Sequence, residues 1–166
     1  YTEKTIFSEF LEALEEIAPL KRNITVLIKL HPKEDADSFS RHLINIPKGL
    51  RIVIDKDTEP RKLILASDLV CGMSSMFLLE SIIIGKPTLS VQIGLCRPSP
   101  FVLERMKILS SIRDQKSLRS YLESIILHKQ VQEYKFSVVS NAVKNVINLV
   151  EDICAETCDK RLIPIQ

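Results

Sequence analysis

The chain has 166 residues, of which 45% are apolar and 27% charged, and its net charge is +2 at pH 7. That length can bury a real core, and the composition is globular, not disordered. A balance so near neutral gives no footprint for nucleic acid or a membrane surface, and no apolar run reaches the ~18 residues of a membrane span.

The chain begins at Tyr1, without Met and without a signal-like apolar region. It opens straight into a helical pattern, which reads as a fragment cut from a longer protein. Residues 3–18 place Ile6, Phe7, Phe10, Leu11, Leu14 and Ile17 on one helical face, with Thr2 as N-cap and Pro19 as terminator. Residues 24–30 (ITVLIKL) are β-branched and nearly continuous in apolar character. They predict a strand buried on both faces, with Val26, Leu27, Ile28 and Leu30 all hidden.

Further strands are predicted over 51–54, 68–71 and 88–92, with a very short one at 108–109. Helices are predicted over 34–45 and 59–66, the second with Pro60 in its first turn. Another starts at Ser74 or Ser75 and stops at Gly85. Residues 94–100 (GLCRPSP) form a loop. Amphipathic helices close the chain over 115–127 and 136–156. Strands and helices alternate with short connections, so the fold class is α/β: a single Rossmann-like domain over 1–166. Its open parallel sheet, of about five or six strands, carries helices on both faces.

The four cysteines, Cys71, Cys96, Cys154 and Cys158, fit neither a disulfide framework nor a CxxC site. They read as reduced thiols, with no metal expected, and point to a cytoplasmic protein. There is no GxGxxG fingerprint and no P-loop, which argues against a dehydrogenase or an NTPase. No GxSxG elbow supports a triad.

In open parallel sheets ligands bind beyond the strands' C-terminal ends, and four places qualify. His31 and Lys33 follow the first strand and are positioned for a phosphate; a loop buttress and a solvated lysine are the plain alternative. Gly72, Ser74 and Ser75 stand before a helix, whose free N–H groups favour an anion; simple N-capping by serine is the other reading. Glu80 lies in that helix amid apolar residues, as an acceptor for a ribose diol or as a solvent-facing carboxylate. Thr58, within Asp57-Thr58-Glu59-Pro60, sits in a loop that either frames a base or only turns the chain.

Taken in order, the runs VLIKLHPKED and DKDTEPRKLILASDLVCGMSSMFLLESIIIGKPTLS resemble the C-terminal domain of GT-B glycosyltransferase-type enzymes of surface polysaccharide synthesis. The pattern is similar to CDP-glycerol glycerophosphotransferases, polysialyltransferase-like capsule enzymes and UDP-N-acetylglucosamine 2-epimerases. It covers about residues 24–92, through His31-Pro32, Ser67-Asp68, the serine turn, Glu80 and Gly85-Lys86-Pro87. Two departures stand out. Cys71-Gly72 replaces the Thr-Asp of many relatives, and the epimerases' Glu-Glu pair is missing.

The resemblance implies a donor-nucleotide-binding domain. Ser74 and Ser75 would hold the donor phosphates and Glu80 the ribose, while Gly72 and Thr58 join them as nucleotide-binding candidates on their position in the chain alone. His31, with Lys33 or Lys86, would stabilise the departing phosphate as the catalytic group. The donor would be a nucleotide-activated sugar or a CDP-glycerol-like molecule, with no cofactor. An N-terminal domain of the parent protein would supply the acceptor site, so the fragment alone is expected to bind without turnover. A non-catalytic interaction module and an epimerase-like enzyme are the competing readings.

Overall fold

The structure, a computed structural model, describes residues 2–20, 23–31, 33–35, 37, 43, 46, 48–128, 134 and 141–159, without the side chains of 152–159. Within those residues the chain is mixed α/β, with short parallel strands in open sheets. It divides into two compact units, Tyr1–Lys135 and Phe136–Gln166.

The first unit opens with α1 (Glu3–Ile17). The Thr2 hydroxyl accepts the Thr5 N–H at 3.2 Å, the expected N-cap. One face of α1 buries Ile6, Ala13, Leu14 and Ile17. Strand β1 (Ile24–Lys29) pairs in parallel with β2 (Leu50–Asp55), Ile24 opposite Leu50 and Lys29 opposite Asp55. Most of the helix expected over 34–45 lies outside the described residues.

Helix α2 (Pro60–Ala66) starts on Pro60, whose missing N–H costs nothing in a first turn. Strand β3 (Val70–Gly72) leads through residues 73–75 into α3 (Met76–Ile84). Helix α3 ends in a left-handed Gly85, with Lys86 N–H donating to the Ser81 carbonyl at 3.0 Å. Then come β4 (Thr88–Val91), α4 (Val102–Arg105), β5 (Ser111–Ile112) and α5 (Gln115–Ile126), the last capped by Asp114. Strand β4 is central in the second sheet, parallel to β3 on one side and β5 on the other.

All four side chains of β4 are buried, the pattern of a strand covered on both faces. Its Leu89 and Val91 join Leu14 and Ile17 of α1 and Leu118 and Leu122 of α5 in one core, against which Ile24, Val26 and Leu50 also pack. Strand β1 behaves differently from expectation. Leu30 is buried and Val26 and Ile28 are half-buried, but Leu27 is 40% exposed beside an exposed Thr25. Among the described residues only the Ile24–Val26–Leu50 face of the β1–β2 pair packs against that core, so the strand with all its side chains buried is β4, not β1. Five strands are seen among the described residues, in sheets of two and three.

One local reading is also corrected. Residues 108–109 are not a strand but part of the bend that follows α4. Lys107 takes a left-handed φ of 56°, its N–H donates to Glu104, and the Ile108 N–H reaches back to Leu103 at 2.9 Å. The short strand follows at Ser111–Ile112 instead. In the second unit, α6 runs over Ala142–Asp159, and its described side chains, residues 142–151, are exposed.

Candidate functional site

The C-terminal edge of β3–β4–β5 is built from the turn 72–75, Gln92 beyond β4, and Ser111 in β5. Ser75 is the N-cap of α3: its hydroxyl accepts the Phe77 N–H at 3.2 Å and its carbonyl accepts Leu78 N–H at 3.1 Å. Among the described residues the N–H groups of Ser74, Ser75 and Met76 have no acceptor. Ser74 and Ser75 are exposed, so these donors are within reach of a ligand. Gly72 has a packing reason of its own. A Cβ there would meet Leu78 Cδ2 at 3.3 Å, and Leu78 is fully buried.

Beneath the turn lies a polar network absent from the sequence-based reading. The Met73 carbonyl accepts the Ser90 hydroxyl at 2.7 Å and the Gln92 amide at 3.3 Å. Gln92 Nε2 also reaches Ser90 Oγ at 3.2 Å, and Ser90 and Ser111 share a hydroxyl contact of 2.9 Å. Ser111 donates to Glu104 Oε2 at 3.1 Å, and Arg113 binds Glu104 Oε1 at 2.9 Å. Ser90 and Gln92 are completely buried, and Gln92 Oε1 has no partner among the described residues. Partial burial pushes the Glu104 carboxyl up, but hydrogen bonds from Ser99, Arg113 and Ser111 prevail and hold it below its ordinary value.

Glu80 is exposed on α3, between Met76 at 60% and Ile83 at 50% exposure. Lying four and three residues away, these two apolar side chains share its helix face. No hydrogen bond among the described residues links Glu80, His31 and the 72–75 turn.

His31 and Thr58 lie at the C-terminal edge of the other sheet. His31 is exposed and held by its own turn: its N–H donates to Glu34 Oε2 at 2.6 Å, while Nδ1 accepts the Lys33 N–H at 3.2 Å. An accepting Nδ1 carries no proton, so in the neutral ring the proton sits on Nε2. This tautomer donates a hydrogen bond outward and is not set up as a base. Thr58 is engaged by Asp55, giving its hydroxyl to Oδ2 at 2.7 Å and its N–H to Oδ1 at 2.9 Å. The Thr58 hydroxyl foremost, then its N–H and the Lys29 ammonium, outweigh burial and hold the Asp55 carboxyl below its usual range.

The nearby cations are bound within the protein. Lys29 pairs with Asp55 at 3.8 Å and donates to the Lys56 carbonyl, and Lys56 donates to the Glu34 carbonyl at 2.9 Å. Lys86 is spent elsewhere. Its ammonium donates to the Leu65 and Ser67 carbonyls, both at 2.8 Å, at the C-terminus of α2 where a cation is favoured. It precedes β4 and so lies at the edge of the sheet opposite the 72–75 turn.

Cys71 is half-buried as a residue but its thiol is enclosed, and burial pushes it up to about 12, whereas Cys96 is exposed. The side chains of Cys154 and Cys158 lie outside the description. Among the described residues no three His, Cys, Asp or Glu come together as metal ligands, and no helix is long and apolar enough to cross a membrane. No family model matches the chain, and no curated protein shows significant similarity to it.

Proposed function

We propose that this chain is the donor-nucleotide-binding domain of a GT-B-type glycosyl- or glycerophosphotransferase of surface polysaccharide synthesis, working in the cytoplasm. The observation that carries the reading is the row of three N–H groups, Ser74 to Met76, that have no acceptor among the described residues. They stand at the C-terminal edge of a parallel sheet, at the head of a nine-residue helix. Such a row accepts the oxygens of a diphosphate, and the helix macrodipole adds about 0.3–2 kcal/mol. His31, donating from Nε2, and exposed Lys33 are the remaining groups suited to a leaving phosphate. Glu80, on the outer face of α3, is the ribose acceptor. The acceptor substrate and its base belong to a partner domain of the parent protein.

The test is an NMR titration of the chain with CDP, CMP, UDP and UMP. Half a cleft should bind diphosphates at roughly millimolar Kd, or about −4 kcal/mol. Ser75→Leu should abolish binding, and Glu80→Ala should remove the preference for a nucleotide over pyrophosphate. Absence of binding at about ten times that concentration, in the chain and in its parent protein, would sink the reading.

One observation favours a second reading, an interaction module. Met76 and Ile83 expose apolar surface on both sides of Glu80, as a protein contact would require. Loss of partner binding in Ile83→Asp, with nucleotide binding never seen, would favour it.

A further inference from the structure

We infer that Gln92 is the positioning residue of the anion turn, setting the direction of the Ser74 N–H from beneath. The inference rests on the donor-binding reading for its ligand, but its geometry stands alone. Two buried side chains, Ser90 and Gln92, converge on a single acceptor, the Met73 carbonyl. No peptide bond in the described chain is cis, and in a planar trans peptide the C=O and the following N–H point in opposite directions. A Met73 carbonyl tied inward therefore aims the Ser74 N–H outward. Ser74 is exposed, and its N–H has no acceptor among the described residues.

The cost borne by Gln92 supports this role. A buried amide normally satisfies both of its ends, yet among the described residues Oε1 has no partner while Nε2 serves Met73 and Ser90. An apolar residue of the same length would fill the space without that penalty. The position is also specific. Gln92 is the first residue past β4, the strand paired with β3, and β3 ends at Gly72, one residue before Met73. Through Ser90 and Ser111 the same network reaches Glu104 and Arg113, so the turn is braced by the segment before and after β5.

The experiment compares the whole chain with Gln92→Met and Gln92→Glu, using inorganic pyrophosphate as the probe. In the free protein, Gln92→Met should shift the Met73 carbonyl carbon upfield and move the Ser74 amide nitrogen. It should weaken pyrophosphate binding roughly two- to tenfold, the effect of one hydrogen bond. Gln92→Glu distinguishes positioning from packing. Burial favours the protonated acid, whose O–H can donate to Met73 as the amide does. Its affinity, taken as a ratio to wild type at each pH, should be restored at low pH and fall as the acid ionises.

Unchanged Met73 and Ser74 shifts in Gln92→Met overturn the inference, as do altered shifts with unaltered pyrophosphate affinity. If Gln92→Met does not fold, a pH-independent Gln92→Glu ratio overturns it. If wild type binds no pyrophosphate, the donor-binding reading fails, and the shift comparison alone decides the positioning role.

Discussion

The hydroxyl of Tyr134 binds both ends of Thr88, accepting its N–H and donating to its carbonyl at 2.9 Å. Strand β5 pairs with β4 only at Ser90 and Val91, so among the described residues no strand lies beside the start of β4 on that side. Tyr134 supplies the two hydrogen bonds that a longer β5 would have made, and its hydroxyl is also hydrogen-bonded to that of Tyr121. Tyr134→Phe should lower stability by about 1–3 kcal/mol, because it leaves two backbone groups of a buried residue unpaired. Urea unfolding measures this; a change under 0.5 kcal/mol would show that water replaces the hydroxyl.

The same groups set an alkaline limit. Burial, then the neighbouring Tyr134 and Cys71, pushes the Tyr121 phenol up, and burial also raises Tyr134. Cys71 moves from 9.0 to about 12. Groups raised in the folded state stabilise it fully below their unfolded values and cease to do so as pH rises through the folded ones. Stability should thus be flat from neutral pH up to about pH 9 and fall above it, with the half-buried Tyr121 and Tyr134 ionising together with unfolding. Absorbance at alkaline pH, followed together with far-ultraviolet circular dichroism, should show the two events coinciding.

Helix ends were the most legible part of the sequence. Thr2, Pro60, Ser75 and Gly85 each act where local chemistry placed them, since a cap depends on only a few neighbouring residues. Burial of strands was not legible. The runs ITVLIKL and TLSVQ are alike in being apolar, yet Leu27 is exposed and β4 is buried, because coverage depends on what packs from elsewhere in the chain. Residues 108–109 misled because a left-handed Lys107 ends α4 without the usual glycine. The resemblance offers Lys86 to the departing phosphate, although its sequence position, after Gly85 and before β4, already puts it at the far edge of the sheet. Gln92 was passed over as the polar end of a strand. Only its pairing beneath Met73 reveals it, and that needs the register of β3 with β4.

Cysteine reactivity follows from the same burial. A thiol pushed up to about 12 is almost wholly protonated at neutral pH and enclosed, while Cys96 is exposed. Peptide-resolved alkylation of the native protein at pH 8 should label Cys96 within minutes and Cys71 only when unfolding is allowed. Equal labelling rates for Cys71 and Cys96 would contradict the enclosed thiol.

On the acid side Glu104 matters. Its carboxyl lies below the ordinary value of 4.5 in the fold, despite partial burial, because Ser99, Arg113 and Ser111 bind the ionised form. A lowered carboxyl contributes stability that is present above its unfolded value and lost as pH falls through the folded one. Glu104→Gln should therefore be less stable than wild type at pH 7, and the difference should shrink below pH 4.5. A constant difference from pH 7 to pH 3 would show that the charge is not what the network uses.

The last prediction concerns Gly72, one of the nucleotide-binding candidates of the 72–75 turn. The structure gives it a neighbour inside the protein: a Cβ at 72 would sit 3.3 Å from Leu78 Cδ2, tighter than ordinary van der Waals contact. Leu78 is fully buried, so the few tenths of an ångström it must give are resisted by close packing. Gly72→Ala gains about 0.4–1 kcal/mol by restricting the unfolded chain, while overpacking costs about 1–3 kcal/mol. The net should be a loss of about 1 kcal/mol. A double-mutant cycle tests the cause. In a Leu78→Ala background the clash is gone, and Gly72→Ala should become neutral or stabilising, giving a coupling of about 1–2 kcal/mol. If Gly72→Ala costs the same in both backgrounds, Leu78 is not the reason for the glycine. If Gly72→Ala leaves stability untouched but weakens pyrophosphate binding, the space above residue 72 belongs to the ligand.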